Sequence, residues 1–391
     1  MTSLGLDFWQ RPQVQLIAAG TALFCSGFAL RSFLGEPDRA GIIPSPHRTL
    51  LPKLSEREIG KLSYPPDAYP GGRWVETPFG TQRVFEFGQK DGRKALCVHG
   101  ISTPCVAMGG LAHALADKGC RVILFDLPGR GWSDTPADLD HDIRLFMSAI
   151  LIVLASSPVS WTGPEESGGF DIIGYSLGGG ISAAFTSYFP DLIRTLVLIA
   201  PSGLIREYHL STVNKLVYAR TALFEPVALW FCGRRLRKPL AKPASVDMNA
   251  DQDELGVEDA MKAELGAAGN KSAVLSRSHP HVSIEGAVNT QIDVHEGYVR
   301  SVLSSLRYAP ILRQHEKWRK IGQHLVDTGK DALLILGDKD PIINMEETKQ
   351  DVSEVFRGHV EVAILEGTGH ETCVARGSDC AEYIWNFWGE Q

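Results

Sequence analysis

The stretch Phe170-Asp-Ile-Ile-Gly174-Tyr175-Ser176-Leu177-Gly178-Gly179-Gly180 decides the fold of this chain. Its first half is a short apolar run typical of a buried strand, and the residues from 181 onward suit a helix. Between them lies Gly-x-Ser-x-Gly, the pattern of a sharp strand-to-helix turn that exposes a nucleophilic serine. The flanking glycines lack side chains, so strand and helix can approach closely. We therefore expect Ser176 to be a nucleophile; the alternative is an ordinary glycine-rich turn.

Short apolar runs alternate with helical segments on both sides of this turn. The predicted strands cover residues 73–77, 82–87, 94–99, 121–126, 170–174, 196–200, 332–336 and 360–365. The first two are joined by a short turn and predict a hairpin. The alternation of the others with helices indicates parallel strands joined by right-handed crossovers. The sequence thus predicts an α/β fold with an eight-stranded, mostly parallel sheet and helices on both faces.

The strand pattern is interrupted between residues 204 and 330. Residues 223–232 are apolar and aromatic, residues 240–272 are polar, and residues 284–306 have helical spacing. We predict a helical insertion over 204–330 within a core made of residues 41–203 and 331–391. The 391 residues, 44% of them hydrophobic, are ample for a large core.

The N-terminal residues 1–40 form a hydrophobic segment followed by a linker. There is no charge between Arg11 and Arg31, and residues 16–30 are almost wholly apolar or small. This length is near the lower limit for a helix that spans a bilayer. We expect membrane association through residues 14–30 as a single-pass anchor. A cleaved secretory or mitochondrial presequence and an amphipathic helix packed on the enzyme are the alternatives.

Composition excludes several functional classes. The net charge of −7 and the scattered lysines and arginines argue against a nucleic-acid partner. The seven cysteines are widely spaced and lack CxxC pairs, which argues against a disulfide framework or a zinc site. No phosphate-binding glycine motif follows the first strands, so we expect no cofactor. The pair His279 and His281 lies in a polar segment and is not expected to hold a metal. Nothing in the sequence indicates an oligomeric state.

A serine nucleophile needs a base, and the base needs a carboxylate that orients it. In a parallel sheet such groups gather where the strands end. The strand at 332–336 is followed by Gly-Asp338-Lys-Asp340-Pro, and the strand at 360–365 by Glu-Gly-Thr-Gly-His370. The chain order Ser176, Asp340, His370 is that of nucleophile, acid and base in one large class of enzymes. We predict these roles for the three residues, with Asp338 as the competing acid.

An oxyanion intermediate needs two preorganised N–H donors. The backbone of Leu177, next to the predicted nucleophile, would supply one donor. Ile101 would supply the second, because Gly100 lets the loop after the strand at 94–99 turn its N–H toward the pocket. We expect His99 to have a structural role.

These motifs together resemble the α/β-hydrolase superfamily over roughly residues 72 to 391. The resemblance is carried by Val98-His99-Gly100, Asp126-Leu-Pro-Gly129-Arg130-Gly131-Trp132-Ser133-Asp134, Gly174-Tyr-Ser176-Leu-Gly178-Gly179, Leu336-Gly-Asp-Lys-Asp340 and Gly369-His370. The sequence pattern as a whole is similar to that of fungal hydrolases of this superfamily. The resemblance implies that Arg130 and Asp134 are structural and that the insertion is a helical cap supplying most of the substrate pocket.

The resemblance also narrows the chemistry. Epoxide hydrolases and haloalkane dehalogenases of this fold use an aspartate at the elbow, whereas Ser176 implies an acyl-enzyme. We expect a serine hydrolase whose partner is a small apolar ester or acyl substrate. An acyltransferase or ester-forming enzyme, a C–C bond hydrolase and a non-catalytic, membrane-tethered binding protein of the same fold are the alternatives.

Overall fold

The computed structural model describes residues 41–162, 169–206, 225–236 and 274–389, and in the N-terminal region Val14 and Ser26 alone. Within these ranges the strands are β1 (Ile42–Ile43), β2 (Gly72–Thr77), β3 (Gly80–Gly88), β4 (Lys94–Val98), β5 (Arg121–Phe125), β6 (Thr135–Pro136), β7 (Phe170–Tyr175), β8 (Ile193–Ile199), β9 (Ala332–Gly337) and β10 (Val360–Leu365). The helices are α1 (Pro46–Thr49), α2 (Glu56–Ile59), α3 (Gly109–Asp117), α4 (Ile143–Ala155), α5 (Leu177–Tyr188), α6 (Glu225–Leu236), α7 (Ile284–Val294), α8 (Tyr298–Tyr308), α9 (His315–Thr328), α10 (Met345–Val355), α11 (Thr372–Ala375) and α12 (Gly377–Phe387).

An eight-stranded sheet in the order β10-β9-β8-β7-β4-β5-β3-β2 forms the centre of the core. From β10 to β5 all neighbouring strands are parallel, while β3 is antiparallel to both β5 and β2. This arrangement confirms the predicted eight-stranded, mostly parallel sheet and its N-terminal hairpin. Helices cover both faces, so every residue of β7 and β9 is buried. Continuous apolar runs are the expected sequence of such doubly covered strands.

The segment before β2 is fastened to the loop that follows β5. Strand β1 pairs antiparallel with β6, and the Asp134 carboxylate accepts hydrogen bonds from the N–H groups of Ser45 and Thr81. Farther along, the hydroxyl of Tyr64 donates to the buried carboxylate of Asp126. This segment, residues 41–71, is the N-terminal arm, and specific polar contacts hold it on the core.

Four helices lie between β8 and β9 in the described residues. The run with helical spacing at 284–306 forms two helices, α7 and α8, because residues 295–297 are not helical. A Cβ on Gly297 would lie 2.1 Å from the side-chain oxygen of Thr135, so only a glycine fits where this break contacts the core. Helix α9 packs against core helix α5, and its Trp318 stacks on Phe356 at 5.4 Å between ring centroids. The predicted insertion therefore includes one helix that packs on the core, and its limits of 204 and 330 stay a prediction.

Among the helices in the described ranges, none combines the length and the apolar character needed to cross a bilayer. The predicted hydrophobic segment at 14–30 lies outside those ranges, apart from two isolated positions.

Candidate active site

Ser176 occupies the junction between β7 and α5 in a backbone conformation that side chains rarely adopt. Its φ is 54° and its ψ is −118°. A Cβ on Gly174 would lie 2.3 Å from the carbonyl oxygen of Gly178, and a Cβ on Gly178 would lie 1.9 Å from that of Val98. Neither distance is compatible with a side chain, so both glycines of Gly-x-Ser-x-Gly are required by close backbone approach. The strain at Ser176 is maintained by this packing, as is common at functional sites.

The side chains of Ser176, His370 and Asp340 meet at the C-terminal ends of β7, β10 and β9. His370 Nε2 lies 2.9 Å from Ser176 Oγ, and His370 Nδ1 lies 2.7 Å from Asp340 Oδ2. The side chains of His370 and Asp340 are each 1% exposed, so bulk water does not compete for these bonds. The structure thus brings together three residues separated by up to 194 positions in the chain.

Asp340 is held by the backbone of its own loop. Its Oδ1 accepts hydrogen bonds from the N–H groups of Ile342 and Ile343 at 2.8 and 2.9 Å. These bonds hold the carboxylate in place and leave Oδ2 directed at His370. Asp338, the competing acid, instead accepts from the N–H of Thr368 at 3.2 Å and pairs with Lys339. It ties the end of β9 to the loop that carries His370.

Tyr175 is a residue of the site that the sequence reasoning missed. Its hydroxyl donates to the backbone carbonyl of His370 at 2.8 Å, and the two rings lie 5.7 Å apart between centroids. A tyrosine in a fully buried strand needs a partner for its hydroxyl, and this was the available signal. The residue preceding Ser176 therefore holds the backbone of His370, which contacts Ser176.

His99 orients the peptide group of the predicted oxyanion donor. Burial lowers the pKa of His99 to about 3, so the ring is neutral near pH 7. Its Nε2 accepts from the N–H of Leu127 at 2.9 Å, and the proton must therefore lie on Nδ1. Nδ1 is 2.9 Å from the carbonyl oxygen of Gly100, to which it donates. Because a trans peptide directs C=O and N–H to opposite sides, the N–H of Ile101 points away from His99.

Leu177, the other predicted donor, is the first residue of helix α5. The first N–H groups of a helix have no partner within it, and the helix dipole is positive at this end. An anion next to Ser176 would therefore be stabilised here.

His279, His281 and His295 lie elsewhere. His279 Nε2 is 3.0 Å from Asp67 and His281 Nε2 is 3.1 Å from the carbonyl oxygen of Leu62, so this pair binds the N-terminal arm. His295 is buried, and its Nε2 lies 3.0 Å from the carbonyl oxygen of Ser133.

The chain belongs to the alpha/beta hydrolase family, whose sequence profile matches residues 95–383. An uncharacterized protein of Mycobacterium bovis is 29% identical over 147 residues, which cover 37% of this chain and 39% of that protein. The chain thus aligns with about two fifths of the length of this curated relative.

Solved structures share the fold at low sequence identity. A thermophilic esterase from Thermogutta terrifontis has a TM-score of 0.54 and 15% identity, with 82% of this chain and 98% of the esterase covered. A meta-cleavage product hydrolase from Pseudomonas fluorescens has a TM-score of 0.53 and 16% identity, with 82% and 98% covered. At these identities the likeness concerns the fold alone.

Proposed function

We propose that this protein is a serine hydrolase that cleaves an ester or related acyl bond of an apolar small molecule. The observation that carries the proposal is the continuous hydrogen-bond chain Ser176–His370–Asp340 over the ends of three parallel strands. A hydroxyl, an imidazole and a carboxylate in this order are the parts that acyl transfer through a serine requires.

The acylation step follows from the geometry. His370 Nε2 removes the proton of Ser176 as Oγ attacks the carbonyl carbon of the substrate. Asp340 stabilises the imidazolium that forms, since its Oδ2 is hydrogen-bonded to Nδ1. The N–H groups of Ile101 and Leu177 bind the oxyanion, and the tetrahedral intermediate collapses as His370 returns the proton to the leaving alcohol.

Deacylation repeats these roles with water as the nucleophile. His370 removes a proton from water, the hydroxide attacks the acyl carbon, and Ser176 leaves with the proton that His370 donates. The products are a carboxylic acid and free enzyme, and no cofactor is consumed. The apolar substrate is supported by the apolar composition of α6, in the predicted cap, whose Ala228, Cys232 and Leu236 are buried.

Turnover of p-nitrophenyl esters with acyl chains of increasing length tests this proposal. We expect Ser176→Ala to abolish measurable turnover, because no other group replaces the nucleophile. Ser182→Ala is the matched control, since Ser182 is a buried serine within α5, close to Ser176 in sequence, and lies outside the hydrogen-bond chain. Equal rates for wild type and Ser176→Ala would contradict the proposal.

Two further measurements separate the alternatives. Product analysis with and without an alcohol acceptor distinguishes hydrolysis from acyl transfer, and assay of a β-diketone-like substrate tests C–C bond hydrolysis. Labelling by a fluorophosphonate probe that depends on Ser176 would exclude a non-catalytic binding protein of this fold. Absence of labelling in folded wild-type protein would favour that alternative.

We also propose that the N-terminal segment directs the protein to a membrane or acts as a cleaved secretory or mitochondrial presequence. The support is the uncharged, apolar run at residues 14–30. Cell fractionation of fusions with and without residues 1–35 tests it. Identical distribution of the two fusions, both in the soluble fraction and both full length, would contradict both versions.

A further inference from the structure

Two consecutive carbonyl groups of the loop at residues 99–103 accept hydrogen bonds from buried side chains. The Ser102 carbonyl oxygen accepts from the hydroxyl of Tyr298 at 2.8 Å and from Nε2 of Gln291 at 3.1 Å. The Ile101 carbonyl oxygen accepts from Nε of Arg130 at 2.6 Å. All three donor side chains are at least 97% buried, so water does not replace them.

These donors form one connected cluster between α7, α8 and the core. Gln291 lies on α7 and Tyr298 opens α8, in the segment between β8 and β9. The side-chain oxygen of Gln291 also accepts from the N–H of Gly131 at 2.6 Å. Arg130 Nη1 donates to Ser301 Oγ of α8 at 2.6 Å, and its Nη2 donates to Ser305 Oγ at 3.0 Å. The loop is therefore held by α7 and α8 both directly and through Arg130.

We infer that Gln291 and Tyr298 are positioning residues for the oxyanion donor Ile101, which makes the oxyanion site dependent on the docking of α7 and α8. The inference rests on the proposed function. His99 fixes the peptide group on the N-terminal side of Ile101, and the cluster fixes those on its C-terminal side. With both sides fixed, the Ile101 N–H keeps the direction that a developing oxyanion needs. Neither Gln291 nor Tyr298 is assigned a contact with substrate.

The two donors to one carbonyl predict a non-additive response. Tyr298→Phe or Gln291→Met alone leaves Ser102 with the other donor, so we expect kcat to fall by only about fivefold. Loss of both removes the two side-chain donors to the Ser102 carbonyl and leaves Arg130 as the cluster's contact with the loop. We expect the double variant to lose about 100-fold or more in kcat, comparable with loss of an oxyanion donor, while KM changes by less than about threefold.

Tyr69→Phe is the matched control for Tyr298→Phe. Its hydroxyl is also buried and also donates to a backbone carbonyl, that of Leu275 at 2.7 Å, outside the loop at 99–103. We expect Tyr69→Phe to lower the melting temperature about as much as Tyr298→Phe and to leave kcat unchanged. The two variants thus separate the loss of a buried hydrogen bond from the loss of loop position.

A transition-state mimic provides the decisive measurement. An alkyl trifluoromethyl ketone adds to Ser176 and places an oxyanion in the site, whereas the matching methyl ketone reports ground-state binding. We expect the inhibition constant of the fluorinated ketone to rise in proportion to the fall in kcat/KM across the variants, with the methyl ketone unaffected.

Failure of this inference is distinguishable from failure of the proposed function. If Ser176→Ala abolishes turnover while the double variant behaves like Tyr69→Phe, the positioning role is wrong and the serine mechanism stands. If Ser176→Ala matches wild type, the proposed function itself is wrong, and the positioning role is wrong with it.

Discussion

Asp338 and Asp340 are two positions apart on one loop, but in the structure they have different partners. Asp340 accepts from two backbone N–H groups through one oxygen and contacts His370 through the other. Asp338 faces the backbone of Thr368. Position in the sequence could only rank these two acids, because the fold of the loop decides which carboxylate reaches the imidazole. The difference in partners makes the roles of the two residues separable by experiment.

We expect Asp340→Asn to lower kcat by about 10³- to 10⁴-fold, because the neutral amide no longer stabilises the imidazolium and favours the wrong tautomer. Asp338→Asn is the matched control and should retain kcat within about tenfold, since it loses a loop contact only. Steady-state kinetics on one p-nitrophenyl ester measures both. A larger loss for Asp338→Asn than for Asp340→Asn would show that the acid has been assigned to the wrong residue.

Tyr175→Phe tests the link between β7 and His370. The substitution removes the hydrogen bond to the His370 carbonyl and keeps the ring contact. A buried hydrogen bond of this kind contributes about 1 kcal/mol, so we expect kcat to fall by about five- to tenfold with KM nearly unchanged. A lower melting temperature with unaltered kcat would instead assign Tyr175 a purely structural role.

At the scale of elements, β7 leads into Ser176 at one end and carries a buried ion pair at the other. Asp171, its second residue, accepts from Nε and Nη2 of Arg93 at 2.8 and 2.9 Å. The guanidinium of Arg93 also lies 4.0 Å from the ring centroid of Trp388, the residue that follows α12. With a rise of about 3.3 Å per residue, Asp171 and Ser176 are separated by roughly 16 Å along the strand. The ion pair therefore links the sheet to the C-terminal end of α12, far from the Ser176 site.

We expect Asp171→Asn to lower the free energy of unfolding by roughly 3 kcal/mol, because it leaves a largely buried arginine without its charged partner. The activity of the folded variant should stay within about twofold of wild type. Urea denaturation and ester turnover measure the two quantities. Asp379→Asn breaks the half-exposed pair with Arg376 and should cost less than about 1 kcal/mol. An equal loss of stability for both variants would contradict the argument.

Elements were predictable from sequence where the evidence was local. Apolar runs with the right length and turn residues predicted the eight strands, and strand-end motifs named Ser176, Asp340 and His370, which the structure brings together. The contacts of Gln291 and Tyr298 with Ser102 were not predictable, because they join residues 189 and 196 positions apart. The break between α7 and α8 was missed for the same reason: it depends on how closely Gly297 approaches Thr135.

At the scale of the whole molecule, buried histidines couple stability to pH. Burial is the largest cause that lowers the pKa of His99 and His141 to about 3 and of His113 and His295 to about 4, against 6.5 for an exposed histidine. The unfolded chain therefore binds protons that the folded chain does not, once the pH falls below about 6.5. These histidines cost the folded state no stability above about pH 6.5, and they cost it progressively more as the pH falls toward 4 to 3. Burial raises the pKa of Asp126, which acts in the opposite sense.

We expect the free energy of unfolding to fall by about 4 kcal/mol per pH unit between pH 6 and 4. Each of the four histidines contributes at most about 1.4 kcal/mol per unit, and the raised pKa of Asp126 offsets about one such contribution. The loss from pH 6 to 4 is then about 8 kcal/mol, which exhausts a stability at the lower end of the typical range of about 5 to 15 kcal/mol. His141→Gln should reduce this slope by about 1.4 kcal/mol per unit, whatever it does to stability at pH 7. Urea denaturation at a series of pH values measures the slope, and an unchanged slope would show that His141 is protonated equally in both states. The slope is the informative quantity because a packing defect shifts the whole curve, whereas only the removal of a titrating group changes its dependence on pH.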